Sequence, residues 1–302
     1  MPTDSDAEPL RWAAVVVNYE GGDRLVGCVR SIVADTSAGP VEVVVVDNGS
    51  SDGSIDALRA AIPGASVVRA PGNVGYARAA NLGIAATRAP VVAVLNVDTV
   101  VEAGAAKVLL DRLDREARLG AVGPQLRNPD GTSYPSSRTM PSIPVAVGHA
   151  VVGLWKPDNR FTTRYRQLDA DPTVPRLVDV VSGAAIWLRR AALDDVGGWD
   201  ERYFMFLEDV DVCREITTAG DRVRYEPAAV VTHVVGASRS RAPVRSVVAH
   251  HRAAYRYLDK WWTGPRRLAL PAAAGFLGAR AAVSATGAAV TGRVHGAVPD
   301  AS

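Results

Sequence analysis

The chain has 302 residues, of which 48% are hydrophobic and 22% are charged, with a formal net charge of +2. This composition is typical of a globular protein with one sizeable domain and an appendage, and it excludes a chain that is disordered throughout. The charge is uneven, because residues 239–302 contain 10 Lys and Arg against 2 Asp and Glu, which leaves the first 238 residues acidic on balance. A basic tail of this kind suits anionic lipid or nucleic acid.

The cysteines and the N-terminal sequence indicate the cellular compartment. Cys28 and Cys213 lie in helix-like patterns without metal-ligand spacing, so we expect neither a disulfide framework nor a zinc site, and a reducing cytoplasm fits best. Residues 1–11 are polar and acidic, with no basic start and no apolar stretch. We expect a disordered lead there rather than a secretory signal.

Apolar runs without polar alternation recur in the first hundred residues. They run from Trp12 to Val17, Val43 to Val46, Ser66 to Arg69 and Val91 to Leu95, and each of the first three precedes a loop and a helical pattern. Such runs are typical of parallel strands that helices cover on both faces. We therefore predict an α/β fold with a doubly wound, mostly parallel sheet. Dinucleotide oxidoreductases and P-loop kinases are disfavoured, because the sequence has neither their GxGxxG nor their GxxxxGK[ST] fingerprint.

The fourth run leads directly into Asn96, Val97 and Asp98. Ligands bind beyond the carboxyl ends of parallel strands, and a carboxylate there can hold a divalent cation that bridges a nucleotide's phosphates. An ordinary turn or helix-capping role for Asp98 is the alternative. Upstream, a helix that starts near Tyr76 and Arg78 also has the features of a phosphate site.

The second half has three features of interest. The segment from Gln125 to Gln167 is rich in Pro, Ser, Gly and basic residues, and it predicts a long ordered excursion that attracts phosphate or simply carries solvated charge. A helix from Leu207 to Ala219 has Glu208, Asp209 and Asp211 in its first turn, where they complement the helix dipole or serve chemistry. The patterns at 178–181, 223–225 and 229–232 predict further strands, and the last of these ends at His233, which is a structural histidine or a ligand.

Residues 245–262 predict an amphipathic basic helix with interfacial tryptophans. Its charged side carries Arg245, Arg252, Arg256, Asp259 and Lys260. Packing on the catalytic core and attachment to a membrane surface both remain open for this helix, while nucleic acid is disfavoured because no recognised binding module accompanies the charge. Residues 268–291 are Ala- and Gly-rich, and a membrane-spanning helix there is not favoured, because Pro271 and Arg280 interrupt the segment.

Six stretches resemble, in order and spacing, the family 2 inverting glycosyltransferases. They are VVVNYE, VVDNGSSDGS, GNVGYARAANLGI, LNVDT, SGAAIWLRRAALDDVGGWDERYFMFLEDVDVC and VVTHVVGAS. Each is degenerate alone, but their order makes the resemblance strong. It implies a GT-A domain over residues 12–240, followed by a basic helical region over residues 241–302.

The resemblance also implies roles for individual residues. It assigns the donor nucleotide-sugar to Asn18, Glu20, Asp47, Asn73, Arg78, Asn96 and Asp98. It assigns Mg²⁺ or Mn²⁺ to Asp98 and His233, although Asn96 replaces the first Asp of the family's DxD motif. It assigns the catalytic base to Asp209, and it leaves Arg138, Arg164, Trp199 and Glu208 as candidates on the acceptor side.

A closer likeness lies in the excursion, where NPDGTSYPSSRTMPS and FTTRYRQ are similar to family members of actinobacterial cell-wall linkage-unit synthesis. Those members transfer L-rhamnose from dTDP-L-rhamnose to polyprenyl-diphospho-N-acetylglucosamine. The likeness implies the same donor and lipid-linked acceptor here, a peripheral position on the cytoplasmic face of the plasma membrane, and no nucleic-acid partner. Another donor such as a UDP-hexose, and a non-catalytic scaffold that binds nucleotide-sugar, remain alternatives.

Overall fold

A computed structural model describes residues 10–142, 145, 148, 152, 156, 159–234 and 243–291. The expected disordered lead falls almost wholly outside the described residues, and so does the expected domain boundary at residue 240.

Strands occupy both halves of the chain. Their bounds are β1 Trp12–Asn18, β2 Val41–Asp47, β3 Ser66–Arg69, β4 Val91–Asn96, β5 Thr99–Val101, β6 Leu119–Arg127, β7 Ser133–Tyr134, β8 Ser137–Arg138, β9 Arg176–Val178, β10 Val180–Val181, β11 Ala185–Arg189 and β12 Arg222–His233. Helices alternate with them. Their bounds are α1 Arg24–Ala34, α2 Ser54–Ala61, α3 Tyr76–Ala85, α4 Ala105–Arg115, α5 Arg160–Arg166, α6 Arg190–Val196, α7 Glu208–Thr218, α8 Pro243–Trp261 and α9 Leu270–Thr291. Single 3₁₀ segments span Thr36–Ala38 and Gly264–Ala269.

The strands of the main sheet follow the order β3-β2-β1-β4-β11-β6-β12-β5, with β7 beside β6 and β9 beside β12. Strands β3, β2, β1 and β4 are parallel, and so are β6 and β12. Strand β11 runs antiparallel between β4 and β6. The predicted mostly parallel α/β sheet of the GT-A type is confirmed.

Both faces of the sheet are buried. Trp12 and Val16 of β1 join the core formed with α1, α2 and α4, whereas Val15 and Val17 join the core formed with α3, α6 and α7. Alternate side chains of one strand therefore enter opposite cores, which is why the strand is apolar from Trp12 to Val17. The doubly wound arrangement is confirmed by this packing.

Some predicted boundaries differ from the observed ones. Strands expected at 223–225 and 229–232 form the single strand β12, whose pairing with β6 is irregular between Glu226 and Val230. The run expected as one strand at 178–181 divides between β9 and β10, which lie in different sheets. Strand β5 has three residues, too few for a periodic pattern.

Helix α8 packs on the catalytic body. Ala253 and Tyr257 are buried in the core that contains α7, and Trp261 packs against the same core. Of the two interpretations that the sequence left open for this helix, the structure shows the packed one. Helix α9 lies along α8 and is attached to the body through it.

Candidate active site

The carboxyl ends of three adjacent strands carry donor-site candidates. Asn18 of β1 pairs with Asp47 of β2, and Val17 pairs with Asn96 of β4. Asn18, Asp47 and Asn96 therefore stand side by side at one edge of the sheet. This is the edge where open α/β sheets bind their ligands.

The turn after β2 is held by side chains predicted to bind the nucleotide. The Ser50 backbone N–H donates to Asp47 Oδ1 at 3.0 Å, and the Ser51 N–H donates to Glu20 Oε1 at 2.8 Å. Asn18 is fully buried, and its Nδ2 donates to the hydroxyl oxygens of Ser50 and Ser54, each at 3.0 Å. The three candidates thus shape one loop and present it at the strand ends.

Asn73 and Arg78 flank the start of α3. Asn73 is exposed, and its Oδ1 accepts from Asn48 Nδ2 at 3.2 Å and from the Gly75 N–H at 3.1 Å. Arg78 is also exposed, and its Nε lies 3.6 Å from Glu201 Oε2. The structure therefore places Asn73 on the loop next to the nucleotide turn, whereas Arg78 forms an ion pair at the surface.

Asp98 and His233 come together across two strands. Strand β5 pairs with the end of β12, so that His233 lies opposite Thr99, the neighbour of Asp98. His233 Nε2 is 3.2 Å from Asp98 Oδ1 and 3.5 Å from Asn96 Nδ2. Both side chains of the pair are nearly buried, at 10% and 8% exposure, and the Tyr134 ring packs edge-on against the imidazole with a centroid separation of 5.8 Å.

This pair fits a divalent cation that shares its coordination with a substrate. One carboxylate oxygen and one imidazole nitrogen at this separation suit Mn²⁺, and Mg²⁺ less well because it prefers oxygen. Within the described part of the chain, no cluster of three His, Cys, Asp or Glu side chains forms a complete site. The remaining ligands would come from a diphosphate and from water, as is usual for cations that accompany nucleotides.

Asp209 is fixed by two hydrogen bonds from outside its own helix. Its Oδ2 accepts from the Gly183 backbone N–H at 3.0 Å and from Arg138 Nη1 at 3.2 Å. The aspartate lies in the first turn of α7, and its side chain is 15% exposed. The carboxylate is therefore oriented from two sides and still reaches solvent.

Gly183 connects Asp209 to the end of β4. The next residue, Ala184, accepts a hydrogen bond from the Asn96 N–H at 2.9 Å, while the Gly183 carbonyl accepts from the Tyr76 hydroxyl at 3.0 Å. A Cβ atom at position 183 would lie 2.9 Å from the Asp209 Cβ, so the close approach requires glycine. The predicted base and the Asn96-Val97-Asp98 motif thus lie next to the same short stretch of backbone, residues 183–184, and we refer to the region between them as the cleft.

Tyr76 lies among the acidic groups of that cleft. Burial, and then the negative charges of Glu208, Asp209 and Asp98, raise the pKa of its phenol well above the ordinary value, so the hydroxyl stays protonated and donates. Sequence reasoning missed the roles of Tyr76 and Gly183. The available signals were a tyrosine directly after Gly75 and the run of small residues that precedes β11.

The backbone that leads into α7 is strained. Phe206 has φ +72° and Leu207 has φ +59°, so two successive residues with side chains adopt the left-handed region. Such residues cost about 1 to 3 kcal/mol each and persist where the surrounding structure determines them, often at functional sites. Here they set the direction in which Glu208 and Asp209 enter the cleft.

The acceptor-side candidates separate into two groups. Arg138 and Glu208 lie at the cleft, the first bonded to Asp209 and the second beside it in the chain. Arg164 is exposed on α5, where its carbonyl accepts from the Thr139 hydroxyl at 3.3 Å. Trp199 is 1% exposed, and its ring packs edge-on against Tyr76 at 6.0 Å. The structure brings the first two to the base, whereas Trp199 lies in the core behind it.

Comparison with known proteins gives a family match. Residues 13–197 match the model of glycosyl transferase family 2. The chain is 38% identical over 271 residues to the N-acetylglucosaminyl-diphospho-decaprenol L-rhamnosyltransferase of Mycobacterium tuberculosis, covering 85% of this chain and 88% of that one. It is 31% identical over 204 residues to the pre-mycofactocin glycosyltransferase of the same organism, covering 66% of this chain and 38% of that one.

Solved structures with low sequence identity share the fold. The structure of GalNAc-T7 with UDP, GalNAc and Mn²⁺ superposes with a TM-score of 0.61 at 14% identity, over 87% of this chain and 50% of that one. The structure of Staphylococcus aureus TarS 1-349 with UDP superposes with a TM-score of 0.55 at 16% identity, over 82% of this chain and 66% of that one. These likenesses concern the fold alone.

Proposed function

The chain belongs to glycosyl transferase family 2 and is a glycosyltransferase, and we propose that it is an inverting enzyme that moves L-rhamnose from dTDP-L-rhamnose to polyprenyl-diphospho-N-acetylglucosamine. The observation that carries the mechanism is the position of Asp209, held by Gly183 next to the end of β4, where the donor site lies. The choice of donor and acceptor is supported by the 38% identity to the mycobacterial rhamnosyltransferase across most of both chains.

Asp209 is the general base of the proposed reaction. The acceptor hydroxyl attacks the anomeric carbon of rhamnose from the face opposite the nucleotide, and Asp209 takes the hydroxyl proton as the new carbon–oxygen bond forms. The bond from the anomeric carbon to the phosphate oxygen breaks, and its electron pair leaves with the nucleoside diphosphate. Configuration at the anomeric carbon is inverted in this single displacement. Arg138 and the Gly183 N–H keep the carboxylate aimed at the attacking oxygen.

The donor is held on the opposite side of the cleft. Asp47, Asn18 and Glu20 shape the loop that receives the nucleoside, while Asp98 and His233 would hold Mg²⁺ or Mn²⁺ beside its diphosphate. When bound, the cation supplies Lewis-acid stabilisation of the charge that develops on the leaving diphosphate. Asn96 contributes a neutral amide where a second carboxylate would add negative charge, so affinity for the cation depends more strongly on the donor's own phosphates.

A lipid-linked acceptor places the reaction at a membrane. We infer a peripheral position on the cytoplasmic face of the plasma membrane, supported by the basic charge of residues 239–302. Nucleic acid has no part in this proposal.

Calorimetric titration tests the donor and the cation together. The purified protein would be titrated with dTDP-L-rhamnose and with UDP-glucose, each with and without Mn²⁺. We expect tighter binding of dTDP-L-rhamnose, a gain in its affinity when Mn²⁺ is present, and loss of that gain in Asp98→Asn. The exposed Asp130→Asn variant is the matched control and should bind like the parent protein. Tighter binding of UDP-glucose would refute the proposed donor, and an affinity indifferent to Mn²⁺ would refute the cation site.

A further inference from the structure

Helix α9 exposes an apolar surface. Residues 264–286 are long and apolar enough to cross a membrane by length and composition, yet only 11% of the apolar window is buried against the rest of the protein. Leu268, in the 3₁₀ segment that leads directly into α9, is 85% exposed, and Val283 of the helix is 65% exposed; Phe276 of the helix is also exposed. A contiguous apolar surface of this kind marks a site of interaction, whereas single exposed apolar residues are ordinary.

The charge of α9 is turned away from this surface. Arg280 is the one charged residue between Leu270 and Thr291, and its Nη1 lies 2.8 Å from His251 Nε2 on α8. His251 in turn contacts the Val247 carbonyl through Nδ1 at 2.8 Å. The side of α9 away from α8 is therefore uncharged along the whole helix.

Basic side chains flank the apolar surface. Arg266 and Arg267 are exposed in the 3₁₀ segment that leads directly into α9, and Arg252 is exposed on α8 next to His251, which contacts Arg280 of α9. Arg267 also pairs with Asp259 at 3.0 Å, which leaves the local balance positive. Apolar area rimmed by arginines is complementary to a bilayer with anionic headgroups, since apolar side chains enter the acyl boundary and cations remain at the headgroups.

Helix α8 connects this surface to the turn that precedes the proposed catalytic base, Asp209. The His250 ring packs edge-on against Phe206 with a centroid separation of 5.5 Å, and Phe206 begins the strained turn before Glu208 and Asp209. At its other end α8 is anchored to α7, because Lys260 Nζ lies 2.6 Å from Asp211 Oδ2. A bilayer in contact with α9 would therefore lie beside α8, the helix that contacts the turn before Glu208 and Asp209.

We propose that α9, and not α8, seats the enzyme on an anionic lipid bilayer. This inference rests on the proposed function, since a polyprenyl-linked acceptor is reached from the membrane. The helix lies in the plane of the interface and does not span it, because crossing would separate Arg280 from His251 and α9 from α8, along which it packs. The apolar face of α8, which the sequence offered as the membrane-binding surface, is instead occupied by the catalytic core.

Vesicle flotation tests whether α9 binds the bilayer. The full chain would be mixed with phosphatidylglycerol vesicles or phosphatidylcholine vesicles, together with a triple variant Leu268→Ser, Phe276→Ser, Val283→Ser. A matched control carries Leu168→Ser, Val174→Ser and Leu177→Ser, which are exposed apolar residues elsewhere on the surface. We expect the parent and the control to float with phosphatidylglycerol vesicles, and the α9 variant to lose at least tenfold in vesicle affinity.

Other outcomes would overturn the inference. Equal flotation of the α9 variant and the parent would show that α9 is not the contact, and light scattering that shows a dimer split by the α9 substitutions would assign the surface to a second copy of the chain. Turnover with a short-chain, water-soluble acceptor separates the two proposals. The α9 variant should retain that turnover. If the parent protein has no turnover with this acceptor but still floats with the vesicles, the proposed function is wrong while the proposed membrane contact is supported.

Discussion

The Gly183 backbone N–H donates to Asp209 Oδ2 at 3.0 Å, and no room for a Cβ atom exists between the two residues. The carbonyl of Gly183 accepts from the Tyr76 hydroxyl, and the neighbouring Ala184 carbonyl accepts from the Asn96 backbone N–H. One short stretch of backbone therefore sets the distance between the catalytic carboxylate and the donor end of the sheet.

Substitution Gly183→Ala should reduce kcat at least tenfold, with a smaller effect on the KM for donor. The new Cβ would lie 2.9 Å from the Asp209 Cβ, and a shift of about 1 Å in a reacting group can cost about 10² in rate. Steady-state kinetics would measure the effect. Gly27→Ala is the control, since a Cβ there meets no atom within 4 Å, and it should leave kcat unchanged. A Gly183→Ala enzyme with parental kcat would show that the close approach does not position the base.

Substitution Asp209→Asn should lower kcat by about 10² to 10⁴, because an amide keeps the shape but accepts no proton. Donor binding, measured by calorimetry, should remain near that of the parent protein. The control is Asp195→Asn, an exposed aspartate on α6 that contacts none of the site. Near-parental turnover of the Asp209→Asn enzyme would exclude Asp209 as the base.

The parallel half of the fold was predictable because burial on both faces demands apolar residues throughout the buried runs of β1, β2 and β4. Those runs, with the polar residues that end them, also located Asp47, Asn96 and Asp98 at one edge of the sheet. The pattern is local, and it needs no knowledge of distant contacts. The prediction that Asp98 and His233 act together, however, came from a family resemblance. In the structure, the pairing of β5 with β12 brings the two residues together.

The contacts that complete the site join residues far apart in the chain. Gly183 and Asp209 are 26 positions apart, and Asp211 and Lys260 are 49 positions apart. Helical periodicity placed Lys260 on the solvent side of its helix, but the structure turns it toward α7, because a buried carboxylate there requires a cation. Periodicity describes what one helix buries, and it does not describe the charge of the surface that receives it.

Substitution Lys260→Met should destabilise the protein by roughly 3 kcal/mol. Asp211 is 1% exposed, and removing one partner of a buried ion pair typically costs about 3 to 5 kcal/mol. The lower end applies because Trp261 Nε1 and the Tyr203 hydroxyl still donate to Asp211. Urea unfolding would measure the loss. Lys107→Met, which removes an exposed pair with Asp111, should cost less than about 1 kcal/mol, and equal losses in both variants would contradict the anchoring role.

Acidification should weaken the contact between His251 of α8 and Arg280 of α9. Burial, together with the positive charge of Arg280, holds the pKa of His251 below its ordinary value of 6.5, although the Val247 carbonyl acts in the opposite direction. Between the pKa of the folded state and about pH 6.5, His251 is protonated in the unfolded chain but not in the folded one. The free energy of unfolding is therefore undiminished above about pH 6.5. It falls as the pH drops toward the folded pKa, by at most about 1.4 kcal/mol per pH unit. Thermal unfolding at several pH values would show a flatter dependence in His251→Gln. An unchanged slope in His251→Gln would refute the assignment.

A transfer assay read by mass spectrometry tests the proposed donor, acceptor and catalytic base together. Purified enzyme would receive a short-chain polyprenyl-diphospho-N-acetylglucosamine acceptor and, in separate reactions, dTDP-L-rhamnose, UDP-glucose, UDP-galactose or UDP-N-acetylglucosamine, with and without Mg²⁺ or Mn²⁺. We expect a deoxyhexose to be added from dTDP-L-rhamnose alone, in a reaction that needs the cation and is lost in Asp209→Asn. A hexose or acetylamino-hexose product, or no product from dTDP-L-rhamnose, would contradict this expectation.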